Sequence, residues 1–310
     1  MMRFMHISLC TAVFILFTGA AHAELYGVAQ EAEHRSAETE APRINGFGES
    51  SLYSIDPDTG AATLIGPTGF YFCRGMDFQP RTNVLYAVCF DGTDDQVLII
   101  IDILSGQGTL VGLLNAEGLL HDLSFRGDGT LFGYFIAKPG NFLATIDVHT
   151  GDTNFIGFSG LNGDGNGIGF DQFNDLFLTD TDFVTFLPSL YLLNQSSGIA
   201  NLITDLTLPP LEKGLTVINS LDLNPETNVM FGSLDVVTLV YDNYLVTIDT
   251  ETGVVTNVGE TVEGLEAIAF LNTQLSAIPT LSEYGMAAVS LALLSIALFV
   301  LYRRKKVIAD

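Results

Sequence analysis

The residues best placed to do chemistry stand in the run Asn162-Gly163-Asp164-Gly165-Asn166-Gly167. Oxygen-bearing side chains at alternate positions ahead of a glycine are what a calcium loop offers a hard cation. Asn162, Asp164 and Asn166 are therefore candidate calcium ligands. The carboxylate that such a loop carries at its twelfth position is replaced here by Phe173, so a plain Gly/Asn connection is the alternative. Asp91-Gly92-Thr93-Asp94-Asp95 and Asp180-Thr181-Asp182 are further acidic loops open to the same two readings. Acid–base or nucleophilic chemistry has less to work with. His121-Asp122 is a His–Asp neighbour pair, but no Gly-x-Ser-x-Gly, HExxH, CxxC or Walker loop accompanies it. No catalytic residue is assigned.

Those loops hang on a repeated scaffold. Five turns share one pattern: Asp56-Pro57-Asp58-Thr59-Gly60, Asp102-Ile103-Leu104-Ser105-Gly106, Asp147-Val148-His149-Thr150-Gly151, Asn194-Gln195-Ser196-Ser197-Gly198 and Asp249-Thr250-Glu251-Thr252-Gly253. Their first residues are spaced by 46, 45, 47 and 55 positions. The Asx side chain accepts from backbone N–H groups just ahead of it, and glycine tolerates the left-handed return. Short apolar runs flank each turn, so each is a hairpin, and a second hairpin precedes it in most units. Two hairpins give four strands per unit, the make-up of a propeller blade.

The array starts and ends with complementary fragments. Leu25-Tyr26-Gly27-Val28 matches a second strand with no first strand before it. Ile268-Ala269-Phe270 matches a first strand with nothing after it. Joined, they complete one unit and remove its exposed edge. The expected fold is all-β, a five-bladed β-propeller over residues 24–276, or six-bladed if one unit is degenerate. Asp77 and Asp222 fall at equivalent first-strand positions, where they line a central channel or hydrogen-bond within their own blade. Cys73 precedes the first strand of the second unit and Cys89 lies in its second strand. A short connection centred on Arg81-Thr82 sets them nearly opposite, which predicts a disulfide in an exported protein, two free thiols being the alternative.

Export is read from the two ends. Met1–Ala23 has Arg3, an apolar run from Ile7 to Thr18 and the small-x-small end Ala21-His22-Ala23, a signal peptide cut before Glu24. Residues 277–310 hold an uncharged apolar stretch, Met286 to Tyr302, followed at once by Arg303-Arg304-Lys305-Lys306. Seventeen residues make a helix of roughly 25 Å, and a basic cluster beside a span stays cytoplasmic. The body of the chain is then periplasmic or at the cell surface, anchored in the inner membrane by one pass.

Ahead of that span stands Ile278-Pro279-Thr280-Leu281-Ser282-Glu283-Tyr284-Gly285. This segment, the span and the basic tail together resemble the IPTL-CTERM sorting signal of Gram-negative bacteria. Tyr284 occupies the place where members usually carry Trp. The resemblance covers about the last 33 residues and implies recognition, and cleavage from the span, by an exosortase-type transpeptidase.

Charge narrows the partners. Without Arg3, the four tail cations, Glu283 and Asp310, residues 24–276 keep 7 basic and 34 acidic residues, a net of about −27. Nucleic acid and anionic surfaces are repelled. Calcium, a neutral glycan or a basic protein suits this surface. The sequence thus reads as an exported binding or structural module. The rival is a calcium-dependent propeller hydrolase or lactonase, which requires Glu, Asn and Asp side chains from several units to converge at the channel mouth.

Overall fold

A computed structural model describes residues 23–30, 48–93, 95–163, 166–182, 184–211, 215–237 and 241–272. The signal peptide up to residue 22, Asp164, the sorting motif, the span and the basic tail lie outside the described residues. Among the described residues no helix is long and apolar enough to cross a membrane.

Among the described residues every regular element is a strand. The chain opens with β1 (Glu24–Gln30), β2 (Glu49–Ile55), β3 (Ala62–Phe78), β4 (Leu85–Phe90), β5 (Gln96–Ile101) and β6 (Gly108–Leu113). It continues with β7 (Leu119–Phe125), β8 (Leu131–Ile136), β9 (Phe142–Ile146) and β10 (Thr153–Phe158), then β11 (Ile168–Phe170), β12 (Leu176–Thr181), β13 (Pro188–Leu193) and β14 (Ala200–Asp205). The last strands are β15 (Leu215–Leu223), β16 (Met230–Val237), β17 (Tyr241–Ile248), β18 (Val255–Glu260) and β19 (Leu265–Leu271). Three sheets are four-stranded and antiparallel, and one has seven strands in the order β19-β1-β2-β3-β4-β5-β6. β19 pairs with β1, Ile268 facing Gly27, so the two ends of the array do form one sheet.

The seven-stranded sheet has a simple cause. β3 pairs with β2 through Ala62 to Tyr71 and with β4 through Tyr71 to Phe78. The fourth strand of the first unit and the first strand of the second therefore run as one, where two separate strands are expected. Cys73 lies inside that strand rather than before it. The hydroxyl of Thr68 donates to the Ser50 carbonyl at 2.8 Å and accepts from the Phe70 N–H at 3.1 Å, tying the passage past Pro67 to β2.

The five turns are built as their residues dictate. In the first, the Asp56 carboxylate accepts from the Asp58 N–H at 2.8 Å, and the Gly60 N–H returns to the Asp56 carbonyl at 2.8 Å with Gly60 at φ +76°. The turn of each unit then packs on the outer strand of the unit before it. Gly66, Gly112 and Gly157 have no room for a Cβ against Ser105, Thr150 and Ser197 respectively.

The apolar side chains meet between successive sheets. Five buried clusters lie between successive four-stranded units, and one of them joins Leu25 and Ile55 to Phe231, Leu245, Ile268 and Phe270, the last unit to the first. One edge-to-face ring pair recurs at four of the five steps, Tyr26–Phe78, Tyr86–Phe125, Phe132–Phe170 and Phe231–Phe270, with centroids 5.6, 5.6, 5.4 and 5.1 Å apart. Each such pair contributes about 0.5–1.5 kcal/mol beyond the area it buries. Leu223 stands where the remaining step would have its second ring. The innermost strands touch in cyclic order, β3 on β7, β7 on β11, β11 on β15, β15 on β19 and β19 on β3.

Candidate functional site

The five inner strands surround an axis, and their side chains reach it in layers. At the upper end the register slips. β3, β7, β15 and β19 each carry a register shift, a β-bulge or irregularity, against their partner strand. The bulge sets Arg74, His121, Asn219 and Glu266 out of pairing. Asn166, just before β11, holds the equivalent place and bridges to Ile218. A bulge re-aims the side chain it carries. Here one scaffold position presents a polar group from each unit: Arg, His, Asn, Asn and Glu in turn.

Hydrogen bonds link several of these groups. A guanidinium nitrogen of Arg74 lies 3.4 Å from His121 Nδ1, and its Nε lies 3.9 Å from a Glu266 oxygen. The Gln30 amide donates to the other Glu266 oxygen at 3.1 Å. The Asn166 amide donates to Asp180 at 2.8 Å, while its own Oδ1 is buried with no hydrogen-bond partner. Nearby Asp235 also has a buried oxygen without a partner, and burial, then the charges of Glu266 and Asp242, push its carboxyl up to about 7. The segment carrying Arg74 is fixed from both sides. Phe72 takes φ +44°, a left-handed conformation costly for a bulky residue, and lies under the guanidinium, 4.9 Å from its centre. Cys73 is disulfide-bonded to Cys89.

Below this mouth the channel narrows. Gly75 and Gly167 have no space for a Cβ against the backbones of Asp122 and Ser220. The carboxylate of Asp122, fully buried, accepts from the Ile168 N–H at 2.9 Å and the Leu221 N–H at 3.3 Å, joining three inner strands. Lower still, Asp77 accepts from the Phe125 N–H at 2.6 Å and Asp222 from the Phe270 N–H at 2.5 Å. These two acids do not bond within their own blade alone. Asp77 clips β3 to β7, and Asp222 clips β15 to β19. Burial pushes Asp77 up to about 7, and burial with the Asp77 charge holds Asp222 well above the carboxylate range. Both line a pocket of about 240 Å³ at the lower end.

Comparison with solved structures adds the fold. A chain from a crystal structure of a nidogen/laminin complex superposes with TM-score 0.51 at 10% identity, covering 81% of this chain and 99% of that one. A GH43 β-1,3-galactosidase solved with galactodeoxynojirimycin gives TM-score 0.51 at 12% identity, covering 76% and 90%. The periplasmic gluconolactonase of Pseudomonas aeruginosa gives 0.43 at 12%, covering 81% and 85%. The fold is a β-propeller. No family model matches the chain, and no curated protein does.

The propeller separates the candidate ligands read from the sequence. Asn162 is exposed, whereas Asn166 is fully buried at the mouth; Asp164 lies outside the described residues. Among the described residues no three His, Cys, Asp or Glu side chains stand close enough to hold one metal ion. Asp91 and Asp182 cap their own turns, accepting from the Thr93 N–H at 2.7 Å and the Val184 N–H at 2.9 Å. His149 is exposed on a turn and distant in role from His121, which is buried. Sequence reading missed Arg74, Asn219 and Glu266. The signal was present: each stands two residues before the apolar residue that begins the repeated motif, namely Met76, Leu221 and Ile268.

Proposed function

We propose that this chain is an exported propeller of five blades, tethered to the outer side of the inner membrane, that binds a ligand rather than transforms one. The mouth residues carry the reading. A repeat preserves what its scaffold needs, as the Asx and Gly of the five turns show. Arg74, His121, Asn166, Asn219 and Glu266 share a scaffold position yet span four residue types, with Asn alone recurring, so the scaffold does not dictate them, and recognition is what such variation on a rigid frame suits. The cyclic contacts of the inner strands and the cluster joining last unit to first support five blades.

Export rests on the signal peptide at Met1–Ala23, the Ile278-Pro279-Thr280-Leu281 motif, the span at 286–302 and the basic tail. An exosortase-type enzyme processes that end where one is present. The chain with a C-terminal epitope, made in a Gram-negative host lacking such an enzyme, tests this. Protease added to spheroplasts should digest the propeller and leave a small tagged fragment protected. A chain that resists until the cells are lysed overturns the proposal.

One observation favours a calcium-dependent hydrolase or lactonase instead. Glu266, Asn166 and Asn219 bring oxygen ligands to the same mouth, and Asn166 Oδ1 lacks a partner. Against it, the Arg74 guanidinium already stands beside Glu266, where a metal ion would meet a like charge. Calcium titration followed by thermal unfolding separates the two. A saturable rise in melting temperature that Asn166→Ala abolishes would favour the hydrolase. No rise up to millimolar calcium leaves the binding module.

A further inference from the structure

The third unit carries a feature that its sisters lack. On its outer strand Phe155 and Phe158 are 53% and 47% exposed, with ring centroids 5.2 Å apart. Phe142, buried, forms the floor beneath both, 5.3 Å from Phe155 and 6.4 Å from Phe158. The three rings line a pocket of about 340 Å³ whose rim holds Asn115, Glu117 and Lys138. Pockets of this size accept a side chain or a small ligand.

The repeat serves as its own control. Aligned on the outer-strand glycine, Phe155 matches Leu64, Leu110, Leu202 and Asn257, so an apolar residue there is common scaffold practice. Phe158 matches Pro67, Leu113, Asp205 and Glu260, and Phe142 matches Ser51, Val97, Ser189 and Tyr244. Only the third unit assembles three phenylalanines, and two of them remain half in solvent. Packing of the blade does not demand this.

We propose that this pocket takes an apolar side chain from a basic peptide segment of a partner protein. Charge selects the occupant. The propeller region holds 34 acidic against 7 basic residues; the pocket lining has one acid, Glu117, and one base, Lys138, and Asp152, bonded to the lining Asn115, adds a second acid beside it. Exposed phenylalanine faces attract cations as well as apolar groups. A neutral glycan is less well served, because Asn115 is already spent. Its Nδ2 donates to Asp152 at 3.3 Å, and its Oδ1 accepts from the Thr153 N–H and hydroxyl at 2.7 Å each.

The inference rests on the surface-binding reading but sets a second site apart from the channel mouth, and its test uses purified protein so that it fails separately from the export assay. Full-length chain in detergent is titrated with acetyl-Arg-Arg-Phe-Arg-Arg-amide, with its Ser-Ser-Phe-Ser-Ser analogue and with a neutral hexasaccharide. The basic peptide should bind saturably and severalfold more weakly at 300 mM than at 50 mM salt. Phe158→Ser should weaken it at least tenfold with the melting temperature unchanged. Glu117→Lys, which leaves the rings intact, should weaken it severalfold. Equal binding of the neutral peptide, tighter binding of the oligosaccharide, no saturable binding, or binding indifferent to both substitutions overturns the proposal.

Discussion

Gly259 and Thr59, two hundred positions apart, meet so closely that a Cβ on the glycine would fall on the threonine carbonyl. The same contact occurs between Gly112 and Thr150 inside the array. The last blade therefore packs on the first as internal neighbours pack on each other. Adding a methyl to such a joint costs about 1–3 kcal/mol through overpacking. At about 2–4 °C per kcal/mol for a domain of this size, Gly259→Ala and Gly112→Ala should lower the melting temperature alike. If Gly112→Ala destabilises and Gly259→Ala is silent, the ring is open in solution.

The disulfide between Cys73 and Cys89 spans 16 positions. Closing a loop of that length contributes about 3 kcal/mol in the chain-entropy account. It also pins the bulge that carries Arg74. Thermal unfolding with and without reductant should differ by about 6–12 °C, and the Cys73→Ser/Cys89→Ser variant should match the reduced protein. A melting temperature insensitive to reductant would mean that the surrounding strands hold the bulge without the bond.

What was legible in the sequence was local or terminal. The Asx–Gly turns could be read because each is closed by atoms within five residues. The shared blade could be read because a lone second strand and a lone first strand stand at opposite ends. The union of two strands into β3 was not legible, since Pro67 and Gly69 read as a break and the Thr68–Ser50 bond that spans it is tertiary. The mouth was hidden for a related reason. A bulge is a property of two paired strands, so Arg74, Asn219 and Glu266 look like ordinary strand residues until the register is known. For Asp77 and Asp222 the sequence leaves channel lining and hydrogen bonding within the blade both open, because their acceptor role toward the next blade depends on how tightly the inner strands approach.

That approach has a consequence for pH. A carboxyl whose folded pKa is raised above the unfolded value binds its proton more tightly in the fold. The stability it lends is complete below about 3.9 and is lost as pH rises through the folded value. Asp77 and Asp235 are both pushed up to about 7, so the melting temperature should fall as pH rises from about 4 to about 7. Carboxylates held low, such as Asp128 beside Arg126 and the turn acids Asp102, Asp182 and Asp249, act in the opposite sense, at acid pH well below that window. Asp235 is the cleaner probe, because one of its oxygens is buried without a partner, whereas Asp77 accepts from Phe78, Ser124 and Phe125. Asp235→Asn removes a charge that Glu266 and Asp242 oppose. It should raise the melting temperature at pH 8, leave it nearly unchanged at pH 4, and flatten the profile between them. A variant destabilised equally at both values would show that Asp235 is held by a bond rather than burdened by its charge.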